Sequence, residues 1–413
     1  MQFLFDFNIT LPTIILLSIV AFCVILLLTA YRFRIARVAK HQQKCIKSNP
    51  FANLSDENDT TSERIDIEDS YSHLPSVSII VYADDEASHL KHLLTQLLNQ
   101  EYLGNFEIIV VNDGASETTR DLVSQLELTY PNIYLTFTPD RSRNLSRKKL
   151  AITLGIKASR YEIITLVNAN SRINSPHWLS LMARNFNENT DVVIGYATPS
   201  VDADKSIGRR RRAFDRVAEA VTYLSAAIGK SPYRGFSYNI AYRRKCFFDN
   251  KGFSNSLNLH YGDDDVFINE ITNSRNTSVE LSPESIVECH FDSVKEAHRI
   301  LKRRYSYTAR FIRKGARCFF GFCSLLFWTW LLASIAAIVI SLPNLFPAAI
   351  IVVLSITLWI PVILTWRKAM SALKSRRMFL TIPWFIMTRP FYNARYKFNS
   401  RRNYRQNHTW IKR

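Results

Sequence analysis

The stretch Tyr161-Glu162-Ile163-Ile164-Thr165-Leu166-Val167 is largely apolar, and it ends in the polar triplet Asn168-Ala169-Asn170. A short apolar run of this kind is typical of a buried strand. The triplet then lies at the carboxyl end of that strand, which is where open α/β sheets bind their ligands. The stretch therefore predicts a buried strand that ends in a candidate binding site.

Similar apolar runs alternate with helical patterns on both sides of this strand. The predicted strands are Val77–Val81, Phe106–Val111, Ile133–Phe137, Tyr161–Val167 and Asp191–Tyr196, and the predicted helices are Glu86–Gln100, Ser116–Tyr130, Lys148–Ser159 and Trp178–Asn187. Strands that alternate with helices imply an α/β fold with a mainly parallel, doubly wound sheet. The polar segments Ala83–Glu86, Asn112–Gly114 and Asn168–Asn170 should therefore share one crevice.

Long uncharged stretches predict membrane helices. Leu11–Ala30 carries no charge and is long enough to cross about 30 Å of hydrocarbon. A cleaved signal peptide usually has a basic start, whereas here the basic residues follow the span, which favours a retained anchor. Cys318–Trp366 is also uncharged but too long for one span, and Pro343 and Pro347 break it into a helical hairpin.

The net charge of +18 is concentrated next to these apolar stretches, and no acid follows Glu296. The positive-inside rule explains this pattern more simply than nucleic-acid binding does. It predicts a multi-pass protein of the inner (cytoplasmic) membrane, with the N-terminus outside and the main domain in the cytosol. The 6 cysteines form no CxxC pair and no zinc spacing, as expected of reduced thiols.

These observations divide the chain into seven segments. Residues 56–70 are rich in acids, serine and threonine, a composition that does not bury a core. The predicted segments are a transmembrane helix at 9–31, a polar linker at 32–74, a main domain at 75–296, a basic interfacial segment at 297–317, transmembrane helices at 318–341 and 347–366, and a basic cytoplasmic tail at 367–413.

Two acidic motifs in the main domain have both a structural and a functional interpretation. Asp113 stands at a strand end before Gly114, either as ordinary turn chemistry or as an acceptor for a nucleoside. Asp263-Asp264-Asp265 could be a solvated turn that caps the next helix. If the three carboxylates are partly buried they repel one another, which raises a pKa toward the range useful to a general base.

In these segments the chain resembles a family 2 glycosyltransferase of the GT-A type, in a bacterial membrane-anchored form. Asp85-Glu86 matches the end of the family's Pro-x-x-Asn-Glu-like turn, with Tyr82 in place of the proline. Val111–Ser116 matches Val-Asp-Asp-Gly-Ser, Lys148–Ile152 matches the lysine-bearing segment, and Gly235–Arg243 matches an acceptor-side segment. The likeness covers about Pro75 to Arg304.

The resemblance implies a Rossmann-like nucleotide-diphospho-sugar transferase domain and assigns roles to particular residues. Asp263 matches the family's glutamate and Asp264 its catalytic base. The donor-binding residues would be Asp85, Glu86, Asp113, Lys148, Asn168 and Asn170, and the acceptor side would include Asn239, Asp265 and Arg304.

The implied function is inverting transfer of a sugar from a nucleotide-diphosphate donor, expected to be a UDP-sugar, to a glycolipid or saccharide at the cytosolic membrane face. One alternative is a catalytically silent relative that binds a nucleotide sugar or scaffolds a partner. A second alternative is a processive polysaccharide synthase. No nucleic-acid partner is expected.

The sequence departs from the family pattern in two places. Asn168-Ala169-Asn170 replaces Asp-x-Asp, so Mg or Mn remains open as a cofactor with Asn170 as a weak ligand. Asp202-Ala203-Asp204 is a literal Asp-x-Asp, but it reads as a charged surface loop. Leu301–Tyr305 keeps only Arg304 and an aromatic residue of Gln-x-x-Arg-Trp, which favours non-processive transfer; the stretch could also be an interfacial basic helix.

Overall fold

The computed structural model describes residues 9–53, 74–84, 87–113, 116–139, 146–200, 207–257, 259–313 and 315–402. The chain divides into two compact units. The sheet unit comprises His41–Arg209, Ala226–Arg313 and Tyr396–Arg413, and the helical unit comprises Met1–Lys40, Arg210–Ser225 and Lys314–Arg395.

The strands and helices of the described residues follow in chain order. The strands are β1 (Val77–Ala83), β2 (Phe106–Asn112), β3 (Ile133–Phe137), β4 (Ile163–Asn168), β5 (Ser171–Arg172), β6 (Val192–Ile194), β7 (Ala197–Pro199), β8 (Ile240–Arg243), β9 (Thr277–Val279) and β10 (Val287–Cys289). The helices are α1 (Leu11–Lys47), α2 (Ala87–Leu98), α3 (Glu117–Glu127), α4 (Arg147–Ala158), α5 (Trp178–Ala183), α6 (Ile207–Ile228), α7 (Arg244–Asp249), α8 (Val266–Ile271), α9 (Val294–Thr308), α10 (Gly315–Ser341), α11 (Phe346–Ala372) and α12 (Thr381–Arg402).

The main sheet has seven strands in the order β3-β2-β1-β4-β8-β6-β9. Strands β1 to β4 are parallel, which confirms the predicted α/β fold class. The second half of the sheet is mixed, because β8 runs antiparallel to both β4 and β6. The predicted fifth strand, Asp191–Tyr196, is shortened to β6 and does not neighbour β4, because β8 lies between them.

The core of the sheet unit explains why the apolar runs form strands. Every residue of β4 is buried, as are six of the seven residues of β2. Helix α2 packs its buried face, which consists of Leu90, Leu93, Leu94 and Leu97, into the same core. These leucines recur every three to four residues, the spacing of one face of a helix, and this spacing predicts the helix from sequence.

A second, three-stranded sheet has the order β5-β10-β7. Strand β10 pairs antiparallel with β5 and parallel with β7. Because β5 begins directly after Asn170, this sheet brings the residue after β10, His290, beside the Asn168-Ala169-Asn170 triplet. The backbone N–H of His290 donates to the carbonyl of Asn170 over 2.8 Å.

In the helical unit, the apolar stretches form the expected membrane helices. Among the described residues, Leu11–Lys47, Cys318–Ser341 and Phe346–Ala372 are long and apolar enough to cross a membrane. Helix α10 ends at Ser341 and α11 begins at Phe346, so the chain breaks between Pro343 and Pro347 as predicted. Within this unit Tyr31 of α1 lies edge-on to Phe327 and Trp366, with ring centroids 5.8 and 6.2 Å apart.

Three segment boundaries differ from the sequence-based ones. Helix α1 continues to Lys47, so 32–47 is helix rather than linker; the remainder of that linker, 54–73, lies outside the described residues. The basic segment 297–317 belongs largely to α9, which buries His298, Lys302 and Tyr305 in the sheet unit. The predicted tail contains α12, whose residues Ile382, Phe385 and Ile386 are buried.

Helix α6 carries four consecutive arginines, Arg209–Arg212, that are not all exposed to solvent. Arg212 is buried, and Arg211 lies over the ring of Tyr392 at 4.1 Å. One turn further on, Asp215 and Glu219 accept hydrogen bonds from Arg389 of α12 over 2.9 and 3.1 Å. These contacts all lie within the helical unit and bind α6 to α12.

Candidate active site

Three strand ends lie side by side at one edge of the main sheet. Ala83 of β1 pairs with Asn112 of β2, and Tyr82 pairs with Asn168 of β4. The backbone N–H groups that follow β2 and β4 both donate to β1 carbonyls over 2.8 Å, which keeps the strands aligned to their ends. The strand ends expected to share one edge of the sheet therefore do so, although Asp85 and Glu86 lie outside the described residues.

Asp113 is buried at the end of β2 and accepts three hydrogen bonds. Tyr82 donates to its Oδ2 over 2.7 Å, while Thr138 and Arg147 donate to its Oδ1 over 2.7 and 2.8 Å. Burial and the bond to Asp113 raise the pKa of the Tyr82 phenol. The tyrosine that replaces the family's proline thus orients the carboxylate assigned to the nucleoside.

The acidic turn is buried, contrary to its interpretation as a solvated surface turn. Asp263, Asp264 and Asp265 are 4%, 1% and 0% exposed. Gly262 precedes them with a φ of +112°, a backbone conformation that glycine adopts without a Cβ clash. The turn therefore enters the fold at an angle that directs all three carboxylates inward.

Arg304 joins the first two carboxylates. Its guanidinium donates to Asp263 and, over 2.6 Å, to Oδ1 of Asp264. On the other side of Asp263, Nζ of Lys148 lies 3.4 Å from Oδ2. Lys148 also donates to Oγ of Ser237 over 3.1 Å and lies 5.3 Å from the centre of the Tyr82 ring. The two cations and the two acids thus form one buried charged cluster.

The neighbouring acids of this cluster have pKa values shifted in opposite directions. Burial raises the pKa of Asp264 to about 6; Arg304 opposes that shift, and the adjacent carboxylates add to it. Burial also acts to raise the pKa of Asp263, but Arg304 and Lys148 outweigh it and hold that pKa below its usual range. A carboxylate with a pKa near 6 is suited to accept a proton near neutral pH.

Lys149 supports the segment that leads into the acidic turn. Its side chain is 2% exposed, and Nζ donates to the carbonyls of Ser256 and, over 3.0 Å, Leu259. Burial lowers the pKa of this amine to about 8, although Asp263 and Asp265 oppose the shift. Sequence reasoning did not single out this lysine, because its partners are backbone carbonyls more than a hundred positions away in the chain.

Asn168 and Asn170 are both 6% exposed at the end of β4. The amide of Asn170 donates to the carbonyl of His290 over 2.9 Å. The expected binding role of the pair stays a prediction. The literal Asp-x-Asp at 202–204 lies outside the described residues.

Two residues expected on the acceptor side, Asn239 and Asp265, are buried and form hydrogen bonds within the protein. Asn239 is 0% exposed; its amide donates to the carbonyls of Tyr196 and Ser285 and accepts from Trp178. Asp265 caps α8 by accepting from the N–H of Val266 over 2.8 Å, and it also accepts from the Thr308 hydroxyl. Both residues therefore shape the fold around the site.

Sequence reasoning missed Thr138, Arg147 and Ser237, and it noted Tyr82 only as a replacement for the family's proline, without foreseeing its bond to Asp113. One signal was available, since Arg147, Lys148 and Lys149 are three consecutive cations at the start of a predicted helix. The others are ordinary strand and turn residues, and only their contacts distinguish them.

Comparisons with known proteins point to one family. Residues 76–254 match the model of the glycosyl transferase family 2. The chain is 28% identical over 171 residues to a protein of Bacillus subtilis named "Putative glycosyltransferase EpsH", and 33% identical over 109 residues to the uncharacterized protein y4gI of Sinorhizobium fredii. These matches span 47% and 12% of the respective relatives, so the chain covers less than half of either protein.

A solved structure shares the fold. The mannosyltransferase PcManGT from Pyrobaculum calidifontis, in complex with GDP-Man and Mn²⁺, superposes with a TM-score of 0.50 at 16% sequence identity. The match covers 91% of this chain and 99% of that structure. At this identity the comparison establishes the fold.

Proposed function

We propose that this chain, whose residues 76–254 form a family 2 glycosyltransferase domain of the GT-A fold, transfers a sugar from a nucleotide-diphosphate donor to a saccharide or glycolipid. The observation that carries the proposal is Asp264, a buried carboxylate with a raised pKa that is held by Arg304. Lys148 links the adjacent Asp263 to Tyr82 of β1. Family membership alone would not separate an enzyme from a silent relative.

In the proposed reaction Asp264 is the general base. It removes a proton from an acceptor hydroxyl while that oxygen attacks the anomeric carbon of the donor sugar. The new bond forms as the bond from the anomeric carbon to the diphosphate oxygen breaks. Direct displacement inverts the configuration at that carbon, and the nucleoside diphosphate leaves with the electron pair. Asp263 stays ionised, because Arg304 and Lys148 stabilise its charge.

Asp113 is the proposed contact for the nucleoside. Its carboxylate lies at the end of β2, oriented by Tyr82, Thr138 and Arg147. A carboxylate held in this way accepts hydrogen bonds from ring N–H or ribose hydroxyl groups. A uridine diphosphate sugar is the proposed donor, and the GDP-Man in the complex of PcManGT makes a guanosine donor the first alternative.

The acceptor is proposed to be membrane-linked or a saccharide at the cytosolic face of the membrane. Three apolar helices associate the chain with a membrane, and basic residues flank them on the side that the positive-inside rule assigns to the cytosol. A processive synthase is less supported, because Leu301–Tyr305 keeps only Arg304 and an aromatic residue of the Gln-x-x-Arg-Trp pattern.

The silent-relative alternative draws on the amides at 168 and 170. Against it, a protein that only binds nucleotide sugar gains nothing from a buried acid cluster, which is costly to bury unless it is paired. A donor screen separates the two. Purified protein in detergent is incubated with UDP- and GDP-sugars, and both thermal shift and nucleotide release are measured.

We expect one donor to raise the melting temperature and to be turned over. Binding of a donor without release of nucleotide diphosphate, in the presence of membrane lipid and saccharide acceptors, would favour the silent relative. Absence of binding to every donor would contradict the proposal altogether.

A further inference from the structure

The amide pair at the end of β4 does not fit the divalent ion that GT-A transferases of this type use. Mg²⁺ and Mn²⁺ prefer anionic oxygen ligands, and both side chains here are neutral amides. The amide nitrogen of Asn170 is bonded to the carbonyl of His290, which fixes the orientation of that side chain. Among the residues that the structure describes, no group of three or more His, Cys, Asp or Glu side chains is arranged to hold a metal ion.

Asparagine in place of aspartate at positions 168 and 170 removes two negative charges from the end of β4. Two aspartates at positions 168 and 170 would add two negative charges beside a diphosphate, which a divalent cation would then have to offset. Two asparagines add none. The site with amides and no metal therefore has the same net charge as a site with two aspartates and a divalent ion.

Two cations lie close to the neighbouring end of strand β1. Lys148 lies over Tyr82, which pairs with Asn168 in the sheet, and its Nζ is 3.4 Å from Asp263. Arg304 contacts Asp263 as well, so the two cations converge on one carboxylate. Nε of Arg304 is buried and has no hydrogen-bond partner among the described residues. The guanidinium thus retains a donor for an additional oxygen.

We propose that Lys148 and Arg304 do the work of the divalent ion, so that this chain binds and releases its nucleotide diphosphate without metal. The inference rests on the proposed function. As the bond to the anomeric carbon breaks, negative charge grows on the diphosphate, and both cations donate hydrogen bonds to its oxygens. Arg304 then donates hydrogen bonds both to the diphosphate and to the acids. Its bond to Asp264 weakens as Asp264 accepts the proton and loses its negative charge.

Binding of UDP and of GDP, each measured by calorimetry in EDTA and in Mn²⁺, tests the proposal without requiring turnover. We expect the affinity of the wild-type protein for its nucleotide to agree within about twofold in the two conditions. Lys148→Met and Arg304→Met should each weaken binding about tenfold or more, because charge-assisted bonds to phosphate are lost. Lys157→Met and Arg303→Met, exposed residues on the same two helices, serve as matched controls and should bind normally.

Restoring the two aspartates of the family's Asp-x-Asp pattern tests the effect of the amides at positions 168 and 170. The double variant Asn168→Asp/Asn170→Asp should lose affinity for the nucleotide in EDTA and regain it in Mn²⁺. Binding of Mn²⁺ alone, followed by electron paramagnetic resonance, should be absent in the wild-type protein and present in the double variant. Because Arg304 is largely shielded from solvent and paired with two acids, Arg304→Lys and the thermal unfolding of each variant distinguish loss of charge from loss of fold.

The outcomes separate this inference from the function on which it rests. If the wild-type protein binds nucleotide only with Mn²⁺, or binds Mn²⁺ alone, the metal-free inference is wrong and the proposed transferase stands. If neither UDP nor GDP binds in either condition, both fail. If the Lys148→Met and Arg304→Met variants fold correctly and bind nucleotide as tightly as the wild type, the two cations do not replace the divalent ion.

Discussion

At the scale of single residues, the acidic turn shows how neighbours acquire different chemistry. Asp263 and Asp264 are adjacent and equally buried, yet the pKa of one is lowered and that of the other is raised. Burial acts to raise both pKa values. At Asp263 the charges of Arg304 and Lys148 outweigh burial, whereas at Asp264 the adjacent carboxylates of Asp263 and Asp265 add to it. This difference favours Asp264 as the proposed general base.

Replacement of this base should abolish transfer while leaving the donor site intact. We expect Asp264→Asn to lower the rate of transfer by about 10²- to 10⁴-fold, the usual contribution of a positioned acid or base. Nucleotide affinity, measured by calorimetry, should change little. The exposed Asp292→Asn is the matched control, and full activity in Asp264→Asn would refute the assignment.

The raised pKa of Asp264 also predicts how the rate depends on pH. The base works only when it is deprotonated, so the rate should fall as the pH is lowered through about 6. Asp263 should not contribute in this range, because its pKa is held below its usual value. Transfer rates measured at saturating donor between about pH 4.5 and 8, a range that brackets a pKa of about 6, check the prediction. A rate constant that is flat across this range would contradict it.

At the scale of elements, the start of α4 joins the two halves of the site. Successive residues on a helix point about 100° apart. Arg147 therefore reaches Asp113, Lys148 reaches Asp263, and Lys149 reaches the carbonyls before the acidic turn. One turn of helix thus fixes the proposed nucleoside contact and the proposed base relative to each other.

Removal of the buried lysine should loosen the acidic turn. Lys149→Met leaves the carbonyls of Ser256 and Leu259 without their donor, a loss of about 1–3 kcal/mol per unsatisfied buried group. We expect a lower melting temperature and a slower transfer rate, both measured on the same preparation. Lys157→Met, an exposed lysine of the same helix, should alter neither; an unchanged melting temperature in Lys149→Met would show that the bonds contribute no stability.

Helix α12 is apolar on both of its faces. Ile382, Phe385 and Ile386 are buried within the helical unit, whereas Trp384 and Phe391 are 65% and 62% exposed. Trp384 and Phe391 are seven positions apart and share one side of the helix. Because the same unit contains the three candidate membrane helices and arginines flank α12, we expect this side to lie in the lipid interface.

Spin labels test this placement in proteoliposomes. A label at Trp384→Cys, in a protein whose native cysteines are replaced, should collide with oxygen more than with a water-soluble nickel complex. A label at Glu117→Cys, on the exposed first turn of α3, should show the opposite preference. Equal nickel accessibility at the two positions would exclude a lipid-facing α12.

At the scale of the whole molecule, the distribution of charge predicts the topology. Applied to the basic residues that flank the apolar helices, the positive-inside rule predicts that the N-terminus and the α10–α11 turn lie outside and the sheet unit inside. An impermeant maleimide should label Leu342→Cys in intact cells, because Leu342 is 59% exposed in that turn. Asp292→Cys in the sheet unit should react only after lysis; labelling in the reverse order would invert the proposed topology.

The sequence by itself determined the fold class and the candidate membrane helices and indicated the resemblance to a family, because each depends on a local pattern. Period, length and composition identify a strand such as β4 or a helix such as α2, and motifs such as Asp113-Gly114 identify the domain. The amides at 168 and 170 were equally visible, so the question of metal use was posed before any contact was known.

Only the tertiary structure decided what surrounds those residues. Arg304 is forty positions from Asp264 in the chain, and Arg147 is 34 from Asp113, so no local pattern relates them. The burial that raises the pKa of Asp264, and the contacts that commit Asn239 to the core, arise when separate elements pack together. The burial of a side chain and the charges around it depend on contacts between residues that are distant in the sequence. For this reason a local motif does not predict them.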